Sequence, residues 1–419
     1  MKVLVVGGGG REHAIVKKLK KSPRITALYA APGNGGIACD AVCVPIKATD
    51  IAGMVDFAVK EAIDFVVVAP DDPLVLGMVD ALQEKGIRCF GPNKAAAIFE
   101  GSKVFSKAFM KKYDIPTAAY EAFEDVEAAR AYAQTAVYPL WIKTDGLALG
   151  KGAIAAADKE EALAILQALM VDKAFGESGS RVVMEENMTG PEVTVLAFSD
   201  GKTLVPMISS MDHKRARDGD EGLNTGGMGV IAPNPHYTPE IAQACMDTIF
   251  LPTIQGMQAE NRPFKGCLYF GIMLTPTGPR VVEYNCRFGD PEAQAVLALL
   301  ENDLLTVMEA ACDGTLDTLA VTWKPHASAC VVLASGGYPE AYETGLAVSG
   351  LKADGNLDTA DVFHAGTTLT DGVFRTAGGR VFGVTATAPT LDKALDKAYA
   401  AVGQIVFDKK HYRTDIGRH

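Results

Sequence analysis

Short apolar runs alternate with amphipathic stretches through the first part of the chain. The runs at 2–6, 26–30, 64–69 and 87–90 predict strands, and the stretches at 11–20, 50–62 and 74–85 between them predict helices. This β–α rhythm implies a mostly parallel sheet, so the first hundred residues read as a nucleotide-type α/β unit. After a helix at 102–112 the texture changes. Strands are predicted at 119–123, 140–144, 152–157 and 181–186, helices at 125–135 and 159–171, and Asp200-Gly201 closes a hairpin of 192–199 with 203–209. The stretch 212–229, "DHKRARDGDEGLNTGGMG", has no periodicity and reads as a long binding or lid loop. A helix at 238–258, strands at 266–274 and 280–285, and helices at 291–300 and 302–312 follow. Past Trp323, glycine-rich turn signals and a final amphipathic helix at 390–405 read as a separate small α+β unit. The expected fold class is multidomain, α/β followed by α+β.

Composition narrows the function classes. A chain of 419 residues calls for roughly two to four domains, and 48% hydrophobic with 22% charged residues is the balance of a folded globular protein. No apolar run reaches the ~18–20 residues of a membrane span, and Met1 leads straight into a strand, so a cytoplasmic location is expected. The net charge of −11 leaves no broad basic face for nucleic acid, so neither nucleic acid nor membrane is an expected partner. Eight cysteines without a CxxC pair and seven histidines without HxH or HxxxH grouping read as reduced core residues and argue against zinc.

Five stretches carry candidate chemistry. "VVGGGGREHA" (5–14) places a glycine loop between a strand and a helix start, the parts that cradle a phosphate. It is not a GxGxxG fingerprint, because Glu12 and His13 occupy the third glycine's place, and the second strand ends in "APGNGG" (31–36) without a ribose-binding carboxylate. Two glycine loops at one sheet edge suit a ligand smaller than a dinucleotide; plain tight turns are the alternative. "IKTDGLALGKG" (142–152) offers a strand lysine, Lys143, and a flexible loop around Lys151 able to close over a triphosphate, though it lacks the Walker A order. In "VVEYNCRFGDPE" (281–292), Glu283 and Asn285 share one strand face and provide the oxygen donors a divalent cation takes, with Arg287 beside them. An ordinary salt-bridged strand end is the competing reading. Glu185 and Glu186 end a strand where a nucleoside is read or where solvent simply covers them. Lys214, Arg215 and Arg217 concentrate positive charge within the 212–229 stretch.

The order of strand lysine, glycine-lysine loop, paired glutamates and E-x-N resembles the ATP-grasp superfamily. The longer strings "GGREHA", "APGNGG", "EGSKVFSK", "DHKR", "NTGGMG", "EYNCRFGDPE", "ASGGYP" and "FHAGT" are similar, in order and over nearly the whole chain, to the glycinamide ribonucleotide synthetases. The resemblance implies a pre-ATP-grasp domain (1–101), an ATP-grasp domain (102–325) with a lid subdomain at about 119–190, and a C-terminal α+β domain (326–419). It also implies ligation of glycine to 5-phosphoribosylamine with ATP in purine synthesis. Another ATP-grasp carboxylate–amine ligase or carboxylase of that pathway is the alternative.

Carried over by position, the resemblance implies ATP contacts at Lys103, Lys143, Gly150, Lys151, Gly152, Glu185, Glu186 and Glu192, with Mg²⁺ or Mn²⁺ at Glu283 and Asn285. Substrate contacts are implied at Gly9, Gly10, Arg11, Glu12, Gly33, Asn34, Asp71, Pro73, Asp212, Lys214, Arg215, Gly226, Gly227, Arg287 and Asp290, and catalytic roles at Arg287, Lys143 and Lys214. Gly9, Gly10 and the helix start near Arg11 are expected to present N–H groups to the substrate phosphate. Asp71 stands where the family usually has Glu, and Leu223 where a proline is common. Small-molecule substrates are the expected partners, and a monomer, or at most a weak dimer, the expected assembly.

Overall fold

The computed structural model describes residues 1–148 and 152–418. Lys2–Gly7 is the central strand of a parallel sheet, buried from Val3 to Val6. It pairs with Ala27–Pro32 on one side and Phe65–Val68 on the other, and Val42–Cys43 and Arg88–Phe90 form the two edges. The strand order reverses beside Lys2–Gly7, and in a sheet of this kind the crevice at the carboxyl end of the reversal point is where ligands bind. The glycine loop 7–10 lies at that end.

Several elements differ from the sequence expectation. The single helix at 74–85 is two short helices, Asp71–Leu76 and Met78–Gln83, because Gly77 takes a left-handed conformation at φ 95° and ends the first. An unanticipated helix, Lys94–Gly101, begins at Asn93, whose side chain accepts the Ala96 N–H. It leads directly into Lys103–Lys112, capped by Ser102. The helices at 159–171 and 238–258 each contain a π-helical turn, at Gln167–Val171 and Met246–Phe250.

The segment expected to form a lid holds a four-stranded antiparallel sheet in the order Tyr120–Phe123, Val182–Glu186, Leu140–Thr144, Ala153–Ala156. It has its own small core, built on Leu140, Ile142, Leu166, Leu169 and Met184. A second antiparallel sheet runs Leu204–Pro206, Glu192–Asp200, Lys265–Thr275, Gly278–Asn285 and carries Glu283 and Asn285 on its edge strand.

The stretch 212–229 is not an unstructured loop. Arg215–Arg217 and Glu221–Asn224 form a hairpin, and the turn between them uses Gly219 at φ 70° and Asp220 at φ 54°. Asp218-Gly219 is a short-hairpin signature within this stretch that the reading of it as a loop passed over. The strand that follows, Gly229–Ala232, joins a five-stranded sheet in the order Met211–Asp212, Gly229–Ala232, Ala327–Ala334, Arg380–Ala388, Asp361–His364. Residue 326, where a separate unit was expected to begin, therefore lies just ahead of a strand hydrogen-bonded to one from the preceding segment. Gly229–Ala232 is buried along its whole length, so its backbone groups need partners on both sides.

Candidate active site

Alternation along Gly278–Asn285 sets Glu283 and Asn285 on one face. Burial alone would raise the pKa of Glu283, but Lys214, Lys143, Lys103 and Arg287 together pull it below the usual range. Basic side chains from four separate elements thus converge on one ionised carboxylate. Asn285 Oδ1 accepts from Arg287 Nη2 at 3.2 Å, and its remaining lone pair leaves a second hard oxygen donor. A carboxylate and an amide oxygen of this kind suit Mg²⁺ or Mn²⁺, which complete their shells with phosphate and water.

Lys143 and Glu185 lie on neighbouring strands of the sheet at 120–186, with Lys143 Nζ 2.9 Å from Glu185 Oε2. Lys107 Nζ approaches the same oxygen at 3.1 Å and also donates to Thr117 Oγ1. Burial raises the pKa of Glu185, and Lys143 and Lys107 reverse the effect and leave it lowered. Its other oxygen, Oε1, is buried without a hydrogen-bond partner. Glu186 points the other way, to the rim, where it meets Arg280 at 2.8 Å and accepts the Ala119 N–H. Of the two consecutive glutamates, one belongs to the interior and one to the surface.

Lys103 Nζ donates to the Gly146 carbonyl at 3.0 Å, tying the helix start to the mouth of the glycine loop. Burial lowers its pKa. Asp145 anchors that mouth by accepting from Ser102 Oγ, the Val104 N–H and Arg181. Gly150 and Lys151 lie outside the described residues. Gly152 is required for packing: a Cβ there would come within 2.2 Å of Thr144 Oγ1.

The second half of the site faces the carboxyl end of the parallel sheet. Arg287 Nη2 pairs with Glu100 Oε1 at 2.9 Å, and Glu100 Oε2 accepts the Cys286 N–H at 2.7 Å. Burial lifts the Glu100 pKa to about 7 despite the guanidinium. Asp71 is pushed up by burial but ends below the usual range, because Arg287 and Arg11 face it. Pro73, buried in the same short helix, shapes the turn and offers no polar group.

The expectation that Gly9, Gly10 and the helix start offer free N–H groups to a phosphate needs correction at two of the three positions, Gly9 and Arg11. Glu12 Oε2 accepts the Gly9 N–H at 2.6 Å, and Asp290 Oδ2 accepts the Arg11 N–H at 3.2 Å. These carboxylates satisfy donors that every helix N-terminus leaves open. Arg11 itself donates to Glu12 and to the Phe288 carbonyl. In the second loop the N–H groups of Gly33 and Gly35 go to the carbonyls of Gly7 and Thr367. Asn34 is a bracket: its Nδ2 donates to the carbonyls of Gly8 and His364, and its Oδ1 accepts from Gly36 and Ile37. Its side-chain amide is therefore fully used within the protein.

Lys214 Nζ meets Glu192 at 3.0 Å, and that carboxylate holds its pKa well above normal. Asp212 is the opposite case: burial and Glu292 push it well above the carboxylate range, and its Oδ1 is buried without a partner. Arg215 does not join this set. Its side chain donates to the Gly222 carbonyl inside the hairpin, and its own carbonyl accepts from Arg413 in the C-terminal tail. Arg380 stitches the remaining pieces, donating to the carbonyls of Gly226 and Asp290. Gly227, at φ 111°, sits where a Cβ would strike Pro291 and Asp212.

Sequence reading missed Lys107, Glu100, Asp145 and Arg380. Lys107 had a signal, since it lies one helical turn beyond Lys103 and so shares its face. Glu100 pairs with a residue 187 positions away in sequence, Arg287, and no local pattern announces that.

An N-terminal parallel sheet, a small antiparallel sheet bearing a buried lysine, and a strand whose one glutamate feels the charge of four basic side chains define an ATP-grasp ligase. Family models agree along most of the chain: the phosphoribosylglycinamide synthetase N domain matches residues 1–100, its ATP-grasp (A) domain 101–293 and its C domain 328–419. The phosphoribosylamine–glycine ligase of Vibrio vulnificus is 46% identical over 420 residues, with 100% of this chain and 98% of that protein covered. The crystal structure of phosphoribosylamine–glycine ligase from Thermotoga maritima superposes with a TM-score of 0.87 at 33% identity, covering 99% of this chain and 100% of that one. The biotin carboxylase domain of Hydrogenobacter thermophilus 2-oxoglutarate carboxylase, solved with magnesium ADP and bicarbonate, shares the fold at a TM-score of 0.74 and 16% identity, covering 98% and 91%. The chain belongs to the phosphoribosylglycinamide synthetase family.

Proposed function

We propose that this protein joins glycine to 5-phosphoribosylamine at the expense of ATP, through glycyl phosphate, giving N1-(5-phosphoribosyl)glycinamide, ADP and phosphate as a step of purine synthesis. The convergence of Lys214, Lys143, Lys103 and Arg287 on Glu283 is the observation that carries this reading. Such a field suits a reaction in which negative charge gathers on a transferring phosphoryl group.

A carboxylate is a poor electrophile, so glycine is activated first. One of its carboxylate oxygens attacks the γ-phosphorus, the bond to the bridging oxygen breaks, and ADP leaves. Lys143 and Lys103 neutralise the phosphate oxygens during transfer, while Glu185 holds Lys143 in place. Mg²⁺ or Mn²⁺, held by Glu283 and Asn285, supplies positive charge to the phosphates when bound. The amine nitrogen then attacks the acyl carbon and phosphate leaves. Arg287, aimed by Glu100 and Asn285, stabilises the acyl phosphate and the tetrahedral intermediate, and Lys214 assists from the other side.

In this reading residues 102–325 hold ATP, with Glu186, Glu192 and the 145–152 loop at its rim and the lid at about 119–190 closing over it. Residues 1–101 hold the amine, the ribose hydroxyls going to Asp71 and the phosphate toward Arg11. Residues 326–419 back that site. We place the protein in the cytosol as a monomer, and the eight free thiols accord with a reducing compartment. Among the described residues no helix is long and apolar enough to cross a membrane.

The test is ADP release with phosphoribosylamine formed in situ from ribose 5-phosphate and ammonia. Release that requires both glycine and the amine is expected. Release that is indifferent to glycine, or that depends on bicarbonate or formate instead, overturns the reading.

A further inference from the structure

Behind the two glycine loops lies a buried chain of hydrogen bonds that the reaction scheme does not use. His13, 1% exposed, places Nε2 3.0 Å from Asp40 Oδ2, and its Nδ1 accepts the backbone N–H of His364 at 2.7 Å. A backbone N–H can only donate, so Nδ1 carries no proton and Nε2–H donates to Asp40. The His364 carbonyl in turn accepts from Asn34 Nδ2 at 2.8 Å, and the same nitrogen donates to the Gly8 carbonyl at 2.9 Å.

The contacts around this chain are tight. A Cβ on Gly36 would lie 2.2 Å from His364 Cγ, and one on Gly8 would lie 2.3 Å from the Gly33 carbonyl oxygen. The His364 ring is fixed on both sides, by Thr367 Oγ1 at 3.0 Å and the Gly355 carbonyl at 2.9 Å. The segment around His364 is therefore joined to both glycine loops through His13 Nδ1 and Asn34 Nδ2.

We propose that His13 and His364 are positioning residues for the amine substrate. His13 Nδ1 holds the backbone of His364, the His364 carbonyl aims Asn34, and Asn34 fixes the spacing between loops 7–10 and 33–37. The inference rests on the reading that the cleft between these loops receives phosphoribosylamine. The same reading places ATP on residues 102–325, away from this chain, so a fault here is expected to act on the amine.

The two ring nitrogens can be tested separately. In His13→Asn the side-chain oxygen replaces Nδ1 and keeps an acceptor for the His364 N–H. In His13→Gln the side-chain amide stands near Nε2, keeping the donor to Asp40 and losing the acceptor. Steady-state kinetics of the full chain are expected to show KM for phosphoribosylamine raised about tenfold in His13→Gln, with KM for ATP, KM for glycine and kcat each within about twofold. His13→Asn is expected to stay within about threefold of the parent in every constant. Asn34→Asp, which cannot donate to the Gly8 and His364 carbonyls, is expected to reproduce the His13→Gln defect and serves if His13→Gln fails to fold. Equal constants in all three variants and the parent overturn the proposal, as does a loss spread over all three substrates. A parent enzyme without glycine-dependent turnover overturns the functional reading itself, whereas an active parent with no selective defect in the variants overturns only the positioning role.

Discussion

Lys143 and Lys107 share one carboxylate oxygen, Glu185 Oε2, at 2.9 and 3.1 Å, in a position where all three side chains are almost fully withdrawn from water. The two ammonium groups share this one carboxylate, so each lysine depends on Glu185 more than Glu185 depends on either. Losing the carboxylate strands two buried cations; losing Lys143 leaves Glu185 paired with Lys107.

From this asymmetry, Glu185→Gln is expected to cost about 3–5 kcal/mol of stability. Lys143→Met is expected to cost less in folding but to lower kcat at least ~100-fold, because it removes a cation that the proposed reaction sets against the transferred phosphoryl group. Chemical denaturation beside steady-state kinetics separates the two; a Lys143→Met enzyme that keeps its kcat would remove Lys143 from the reaction.

Glu283→Gln is expected to lower turnover by about two orders of magnitude and to raise the metal concentration needed for half-maximal rate. Its melting temperature should move far less than its activity. A metal titration of ADP release checks this, and a variant that loses stability alone would mark Glu283 as structural.

Asp71 is held ionised against its burial by Arg287 and Arg11. Asp71→Asn is expected to raise KM for the amine about tenfold while kcat holds, as the loss of one charged hydrogen bond implies. A fall in kcat with KM unchanged would instead place Asp71 at the reacting bond.

Two buried groups give stability opposite slopes against pH. Burial depresses the His13 pKa from 6.5 to about 4, against the opposing pull of Asp40 and Asp361 and with Lys17 adding to the depression. Between those values the unfolded chain binds the proton and the folded one does not, so this group's contribution is lost as pH falls from 6.5 toward 4. Glu100 is raised from 4.5 to about 7, so the folded state holds the extra proton and its contribution is lost as pH rises through that range. Each effect is worth about 3 kcal/mol. Unfolding free energy measured from pH 4.5 to 7 should therefore climb more steeply in Glu100→Gln than in the parent; identical slopes would mean that Glu100 does not titrate in this window.

Four of the five strands of the N-terminal sheet, and those of the sheet at 120–186, were legible because apolar runs between glycine and proline signals leave few alternatives; the two-residue edge strand Val42–Cys43 is too short to show such a run. The pairing of Glu283 with Asn285 was legible because period two puts both on one face whatever the surrounding fold. The N–H groups of Gly9 and Arg11 were misjudged for two different reasons. Glu12 takes the Gly9 N–H through a capping box three residues long, a local signal that was passed over, whereas Asp290 reaches the Arg11 N–H from 279 positions away, which no local pattern announces. Arg215 fell out of the site because the Asp-Gly turn makes its segment a hairpin that faces the C-terminal tail. His13 was visible in the string "GGREHA", yet nothing in the sequence shows that its ring reaches the backbone of residue 364.

The sheet that sets Gly229–Ala232 beside Ala327–Ala334 has a practical consequence for anyone dividing the gene. A stop codon near position 326 would not release a tidy amino-terminal enzyme. It would strip one side of a fully buried strand and leave its amides and carbonyls open to the same strand in other molecules, an invitation to aggregate. Expression of residues 1–326 alone should yield inclusion bodies, and co-expression with residues 327–419 should restore soluble protein by strand complementation.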